Sequence, residues 1–345
     1  MPRAAVLALL ADHKADRPLC FSGLINVTQP GLDSLGFQLA EVHTDPEKMA
    51  AAAATTPRLF DFAAAAVPLD MCVEAELLGA RIDFSMGGDG TRLPQPVDAI
   101  ASSATEMVLD VPRDPARRGR VPVVCEAIGI LRRDAGDDFA VGAWIPGPFT
   151  LATMVVDVMG LVMETRTAPD AVGRLLDELT ELLVQVALSY HEAGADFLTI
   201  HEMGGSPGFI GPPAFEEFVL PRLQRLLAAL PAPRVLHVCG NTNAAVGLLA
   251  SAGADALSVD QLNDIARSRA QLGPSQVLLG NIDPVEVLSN GTPSQVRSAV
   301  SQALAAGVSA VWPGCDLMPQ VAAANLRALV EESHQPRPNP RPAGG

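Results

Sequence analysis

The chain has 345 residues, 48% of them hydrophobic, and a formal net charge of −15 from 39 acidic and 24 basic side chains. This length suffices for one large core, and the acidic balance gives no support for nucleic-acid binding, which uses a basic face. No uncharged apolar run approaches the roughly 18 residues of a membrane helix. The five cysteines are scattered and odd in number, which favours a reducing cytoplasm over a disulfide framework.

Short, nearly continuous apolar runs predict parallel strands that are buried on both faces. Before them, residues 1–18 indicate an amphipathic helix rather than a signal peptide, because charges soon interrupt the apolar run. We predict eight strands: LCFSGLI (19–25), FDFAAAAVP (60–68), FAVGAWIPG (139–147), DFLTIHE (196–202), RVLHVCG (234–240), DALSVD (255–260), VLLGNIDP (277–284) and SAVWPGC (309–315).

Segments of helical period lie between these runs, at 169–194, 212–230 and 292–307. The last begins with Thr292 as a candidate N-cap and Pro293 at the first helical position. The repeated order of strand, polar loop, helix and glycine predicts an α/β fold, a (β/α)8 TIM barrel. A doubly wound open sheet is the alternative, but no Gly-x-Gly-x-x-Gly motif follows the first strand.

Three further segments bear on the organisation of the chain. Residues 121–141 suggest an inserted β-hairpin before strand three, and SMGGDG (85–90) is too short to indicate a phosphate-binding loop. Residues 1–333 are predicted to form a single domain. Residues 334–345, rich in Pro and Gly, are predicted to be a disordered tail.

His237 and Cys239 lie two residues apart at the end of the fifth strand, so both side chains point to one face. Cys315 follows the eighth strand, and the strand ends of a barrel meet at one mouth. Two thiolates and one imidazole with an open fourth position are typical of catalytic zinc. Taken singly, each of these residues could instead be an ordinary core residue. Their shared location favours the metal site.

The charge of this predicted centre indicates its chemistry. Two thiolates and a neutral imidazole offset the charge of zinc, which would lower the pKa of an incoming thiol and leave its sulfur electron-rich. Such a site suits alkyl transfer to sulfur better than water activation.

Other polar residues at strand ends are candidates for substrate binding, for orienting the metal ligands, or for supplying the fourth ligand in the resting enzyme. Loop capping is the alternative, above all for Asn241 and Asp283. Glu202 is the best acid for a fourth ligand in the resting enzyme. The candidates are His201, Glu202, Asn241, Asp260, Asn281 and Asp283.

Several motifs carry a family resemblance over residues 1–330. HVCGNT, GNIDPVEVLSNGTPSQV and PGCDLMP with NLRALV resemble the uroporphyrinogen decarboxylase superfamily, and within it the zinc-dependent methylcobamide:coenzyme M methyltransferase branch. HTDPEKMAAAA, VPLDMCVEAELLGARIDF and GPFTLA are also similar to that branch. The resemblance implies a barrel with an N-terminal helical extension and zinc held by His237, Cys239 and Cys315. It further implies that a thiol takes the methyl group of a methyl-Co(III) corrinoid that is carried by a separate protein. Relatives also suggest that this protein is a monomer or a homodimer.

Two features bear on the alternatives within this superfamily. The Arg-rich substrate-gripping segment of the decarboxylase has no counterpart after LCFSGLINVTQPG, and the chain's only tyrosine, Tyr190, lies in a predicted helix, which disfavours decarboxylation of a tetrapyrrole. Relatives that deliver methyl groups to tetrahydrofolate lack the zinc triad, yet an acidic mouth lined with amides could bind a pterin. The alternative that is not an enzyme is a metal-binding or docking subunit that holds a corrinoid protein and transfers no methyl group. The sequence leaves coenzyme M and homocysteine open as acceptors.

Overall fold

The computed structural model describes residues 1–12, 17–84 and 92–335. The segment SMGGDG (85–90) lies outside the described residues, as do residues 336–345 of the predicted tail. Among the described residues, no helix is both long and apolar enough to cross a membrane.

The centre of the fold is a parallel sheet of seven strands in the order β1-β4-β5-β6-β7-β8-β9, with β2 and β3 paired separately. Apart from the first, each predicted strand contains one of these strands. The bounds are β1 (Ala64–Val67), β2 (Ile82–Asp83), β3 (Gln95–Pro96), β4 (Ala140–Pro146), β5 (Phe197–Glu202), β6 (Arg234–Val238), β7 (Ala256–Val259), β8 (Val277–Ile282) and β9 (Ala310–Pro313).

The eighth barrel position, between β9 and β1, is filled by residues 19–21. The N–H of Phe21 donates to the carbonyl of Val311 at 3.2 Å, and the N–H of Ala63 donates to the carbonyl of Cys20 at 2.9 Å. The predicted first strand is therefore shorter than 19–25. The strand pairing ends at Ser22, whose hydroxyl accepts from the N–H of Leu24 at 3.1 Å. This local turn replaces the hydrogen bonds between strands.

Helices follow the strands and surround the sheet, as the (β/α)8 prediction requires. They are α1 (Pro2–Asp12), α2 (Gln29–Leu35), α3 (Pro46–Phe60), α4 (Val73–Leu77), α5 (Val121–Ala135), α6 (Pro148–Val155), α7 (Val158–Thr167), α8 (Pro169–Glu192), α9 (Pro207–Ile210), α10 (Pro212–Ala214), α11 (Leu220–Ala229), α12 (Val246–Ala250), α13 (Ile265–Leu272), α14 (Pro293–Ala306) and α15 (Ala323–Ser333), with 3₁₀ turns at Leu39–His43 and Pro115–Arg117 and π turns at Phe215–Val219 and Pro284–Ser289.

The hairpin predicted within residues 121–141 is wrong, because most of this segment is helix α5. Its buried residues Val121, Val124, Ile128 and Leu131 recur at three and four positions, which is the period of a helix packed on one side. A short antiparallel pair does precede the third barrel strand, but it joins β2 to β3.

The interior of the barrel is closed at its N-terminal end. Val6, Leu9 and Leu10 of α1 belong to one buried cluster with the inward residues of the strands. Phe21 packs edge-on against Phe197 and Trp312. The predicted N-terminal helical extension is therefore confirmed, and it leaves only the C-terminal strand ends as a mouth.

Candidate metal centre

Two histidines face each other inside the barrel at the ends of β5 and β6. His201 pairs in register with His237, and their ring centroids lie 4.9 Å apart. Phe197 and Val235, which share the phase of these histidines, belong to the barrel interior, as the period of two requires. The edge of the buried Trp144 ring packs against His201.

Two cysteines complete a cluster at this level. The Sγ of Cys239, directly after β6, lies 3.1 Å from Nε2 of His201 and 3.3 Å from Nε2 of His237. The Sγ of Cys315, after β9, lies 3.4 Å from the Sγ of Cys239 and 4.0 Å from Nε2 of His201. Both cysteines are free thiols. Strands that are adjacent or opposite in the barrel thus bring four donor atoms together.

This donor set fits a tetrahedral metal ion. The four donor atoms all lie within 4.8 Å of one another. A tetrahedral zinc ion with nitrogen and sulfur ligands needs donors about 3.3–3.8 Å apart, which is close to the spacings found. Two thiols and two imidazoles are soft and borderline ligands, so they select zinc over magnesium or calcium. The cluster could therefore hold a metal ion of this kind.

Hydrogen bonding orients one histidine more firmly than the other. Nδ1 of His237 lies 2.8 Å from the hydroxyl of Ser258, which is its register partner on β7. This contact leaves Nε2 to face the sulfurs. Nδ1 of His201 is buried and has no hydrogen-bond partner among the described residues. Contacts of the kind made by Ser258 fix the ring of a metal ligand and raise its affinity.

Cys315 and His237 favour the protonation states that bind a metal, whereas Cys239 favours its thiol form. A hydrogen bond from Cys239 and the two imidazoles hold the pKa of the Cys315 thiol well below its usual range. The same contact with Cys315, together with burial, raises the pKa of Cys239. Burial lowers the pKa of His237 and favours its neutral form. A thiolate and a neutral imidazole are the ligating forms of these side chains.

Glu202 does not face the cluster, so the prediction of this acid as a resting ligand is wrong. It is one residue beyond His201 on β5, and the alternation of a strand turns it to the outer face. Its carboxylate accepts from the hydroxyl of Thr150 and from the N–H of Gly205. The side chain instead braces the loop between β5 and α9.

The other predicted candidates hydrogen-bond to nearby loops. The carboxylate of Asp260 accepts from the N–H of Gly240 at 2.9 Å and from that of Leu262 at 2.8 Å. Asp283 caps the π turn Pro284–Ser289, which is the capping alternative. The amide of Asn281 donates to the carbonyls of Asp260 and Asn263. Asp260 and Asn281 thereby join the loops beside the cluster.

Asn241 is exposed and accepts from the N–H and amide of Asn243, so its contacts are local to the loop. Three further polar residues lie after barrel strands but are not among the predicted candidates, namely Asn26, Gln261 and Asp316. Asn26 is fully buried with neither amide atom bonded, and Oε1 of Gln261 is buried without a partner. Only the position of Asp316 beside Cys315 could have drawn attention to it.

Comparison with known proteins finds relatives over most of the chain. A methylcobamide:CoM methyltransferase (MtaA) of Methanosarcina barkeri is 32% identical over 337 residues, covering 95% of this chain and 96% of that protein. A methylated-thiol–coenzyme M methyltransferase of Methanosarcina mazei is 29% identical over 84% of this chain and 77% of its own.

The solved structure of a methyltransferase from Methanosarcina mazei superposes with a TM-score of 0.90 at 29% identity, covering 96% of this chain and 98% of that one. The family model for uroporphyrinogen decarboxylase (URO-D) matches residues 1–336. Because this match spans nearly the whole chain, the protein belongs to the uroporphyrinogen decarboxylase (URO-D) family.

Proposed function

We propose that the protein is a corrinoid-dependent methyltransferase that moves a methyl group from a methyl-Co(III) corrinoid to a thiol activated at a zinc centre. The observation that carries the proposal is the convergence of two thiols and two imidazoles at the mouth of the barrel. The names of the methyltransferase relatives support the reaction class. The corrinoid would be carried by a separate protein that reaches this mouth.

His237, Cys239 and Cys315 are the proposed zinc ligands. His201, one of the residues predicted as a possible fourth ligand of the resting enzyme, is a fourth donor whose place on zinc the acceptor thiol would take. Zinc, when bound, would lower the pKa of an incoming thiol and keep its sulfur nucleophilic at neutral pH. The buried imidazoles keep bulk water from most of the centre, and this disfavours hydrolysis.

The proposed reaction is a displacement at carbon. A bond forms between the acceptor sulfur and the methyl carbon while the carbon–cobalt bond breaks. Both electrons of the broken bond stay on cobalt, which leaves as Co(I). The thiol proton is lost to solvent. No residue of this chain needs to act as a covalent nucleophile.

The chain's own contribution is to position the reactants. The hydroxyl of Ser258 contacts Nδ1 of His237 and orients its ring. The carboxylate of Asp260 accepts hydrogen bonds both from the Cys239 loop and from the loop after β7. Such supports keep the ligands within the narrow geometry that transfer requires. Asn241 and Asn281 remain predicted substrate-binding residues. Asp283 contributes only by capping the π turn Pro284–Ser289.

The position of Tyr190, the only tyrosine in the chain, does not support a role in the decarboxylation of a tetrapyrrole. Tyr190 is fully buried within α8, and its hydroxyl donates to Glu74 at 3.3 Å. It does not belong to the metal cluster. The match to the uroporphyrinogen decarboxylase model therefore indicates the family rather than the reaction.

Two measurements test the proposal. We expect about one zinc ion per chain in protein purified without added metal, and loss of zinc in Cys315→Ala. The second measurement is methyl transfer from methylcobalamin to a set of small thiols, which Cys239→Ala should abolish. Cys125→Ala is the matched control, since Cys125 contacts the carbonyl of Ser189 on the outer helices. Full activity of Cys239→Ala, or the absence of zinc from the parent protein, would refute the proposal.

A further inference from the structure

The exposed apolar side chains are concentrated in the segments that follow the C-terminal ends of the strands. Apart from Met1 and Leu59, each large hydrophobic side chain that is exposed among the described residues lies between the end of a strand and the helix that leads to the next strand. Single exposed apolar residues are common on protein surfaces, whereas a concentration at one end of a molecule indicates an interaction site. These segments begin at the end of the barrel that holds the metal cluster.

Phe209 lies on one side of the loop that follows Cys239. It belongs to α9, in the segment after β5, and is 56% exposed. The neighbouring Gly208 lets α9 approach this loop closely, because a Cβ added there would lie 2.9 Å from the carbonyl oxygen of Asn241. The helix that carries Phe209 therefore packs on the chain only two residues beyond a proposed metal ligand.

Leu262 lies on the other side of the same loop, since β5 and β7 flank β6 in the sheet. Its side chain is 60% exposed. Its carbonyl accepts from the amide of Asn243 at 3.1 Å. Its N–H donates to the carboxylate of Asp260 at 2.8 Å, and that carboxylate also accepts from the N–H of Gly240 at 2.9 Å. These hydrogen bonds fix the backbone of Leu262 beside the loop and leave its side chain to solvent.

The loop itself presents a neutral amide. Asn241 is exposed, and its Oδ1 accepts from the N–H and the side-chain amide of Asn243 at 3.2 and 2.8 Å. Among the described residues, no acceptor is bonded to its Nδ2. Phe209, Asn241 and Leu262, which we call the β6 shelf, therefore combine exposed apolar area with an amide donor.

The chemistry of the β6 shelf matches that of a corrin ring. A corrin is a broad macrocycle with methyl groups on its faces and neutral amide side chains along its edge. Its apolar face gains free energy when Phe and Leu side chains remove it from water, and an amide at its edge can pair with the amide of an asparagine. The position of the shelf agrees with this, because methyl transfer brings the cobalt close to the acceptor sulfur at the metal.

We infer that the β6 shelf receives the corrin ring of the methyl donor, so that the ring itself binds to this chain as well as the protein that carries it. The inference rests on the proposed function. It makes Phe209 and Leu262 binding residues for the macrocycle. The other candidate occupant is the surface of a protein, and in that case these side chains would not affect the affinity for free methylcobalamin.

The test measures the binding of free methylcobalamin to the zinc-loaded protein by equilibrium dialysis, without an acceptor thiol. Phe209→Ala and Leu262→Ala should each raise the dissociation constant at least about fivefold, because each removes apolar contact area. Leu262→Met keeps that area and should restore the affinity of the parent. Leu59→Ala is the matched control, since Leu59 is 42% exposed in the last turn of α3, at the opposite end of the barrel.

Turnover provides a second readout that also serves if the affinity is too weak for dialysis. With 2-mercaptoethanol in excess, Phe209→Ala and Leu262→Ala should lower kcat/KM for methylcobalamin at least about fivefold. The loss should arise in KM rather than in kcat, because the contact is the same in the ground state and in the transition state. An unchanged zinc content shows that the metal cluster is intact in both variants.

The outcomes separate this inference from the proposed function. A parent protein that transfers no methyl group from methylcobalamin to any thiol would count against the proposed function itself. Methyl transfer with equal affinity and equal kcat/KM for methylcobalamin in Phe209→Ala, Leu262→Ala and Leu59→Ala would overturn the inference and leave the methyltransferase standing. The exposed apolar residues would then belong to a surface for a protein partner.

Discussion

The hydroxyl of Ser258 lies 2.8 Å from Nδ1 of His237, and the two residues face each other across β6 and β7. The contact fixes the imidazole so that Nε2 points toward Cys239. It is made by two strand residues in register rather than by a loop, so it is held by the backbone ladder.

Ser258→Ala should weaken zinc binding by about 10- to 100-fold, because the ring of His237 loses its orienting partner. The zinc affinity is measured by competition with a chelator of known strength. Ser268→Ala is the control, since Ser268 is equally buried but its hydroxyl is unpaired. Equal zinc affinity in the two variants would contradict the role given to Ser258.

The two histidines should differ in how much they matter for zinc. His237→Ala should lose most of the metal, whereas His201→Ala should retain a larger fraction. The reason is that His237 is oriented by Ser258 while Nδ1 of His201 has no partner among the described residues. Metal analysis after gel filtration measures both. The reverse ranking would make His201 the stronger ligand.

The buried Glu74 should make stability depend on pH. Burial raises its pKa from 4.5 to about 8, so between these values the folded protein holds a proton that the unfolded chain has lost. The free energy of unfolding should therefore fall as pH rises from about 5 to about 8, by a few kcal/mol.

Glu74→Gln should flatten that dependence and raise the melting temperature at pH 8, because the neutral amide needs no proton and can still accept from Tyr190. Thermal melts across this pH range provide the measurement. Glu178→Gln, on the exposed face of α8, is the control and should keep the parent's slope. A slope that persists in Glu74→Gln would assign it to another group.

Arg120→Ala should destabilise the fold by about 3–5 kcal/mol, since it leaves the buried carboxylate of Asp70 without its guanidinium. Arg120 binds Asp70 at 2.6 and 3.0 Å. Denaturant unfolding gives the value. Arg81→Ala is the control, because the Arg81–Asp98 pair is exposed on both sides and should matter little. Similar losses in both variants would argue against a special role for the buried pair.

The barrel could be predicted because its signals are local. Seven of the eight strand predictions contain a strand, since an apolar run buried on both faces is legible within a few residues. The wrong prediction of a hairpin within residues 121–141 has a local cause, because several β-branched residues and a charged tip are typical of a hairpin. Their helical burial depends on packing against α3 and β4, which no local pattern reveals.

What the sequence by itself determined is which residues of a strand share a face. The period of two puts His237 and Cys239 together, and the common mouth of a barrel adds Cys315. Only the tertiary structure decided that His201 joins them and that Glu202 does not. That choice depends on the register between β5 and β6, which neighbouring strands set through backbone pairing far apart in the chain. The same holds for Asp260, Asn281 and Asp283, whose hydrogen-bond partners are fixed only when the loops meet.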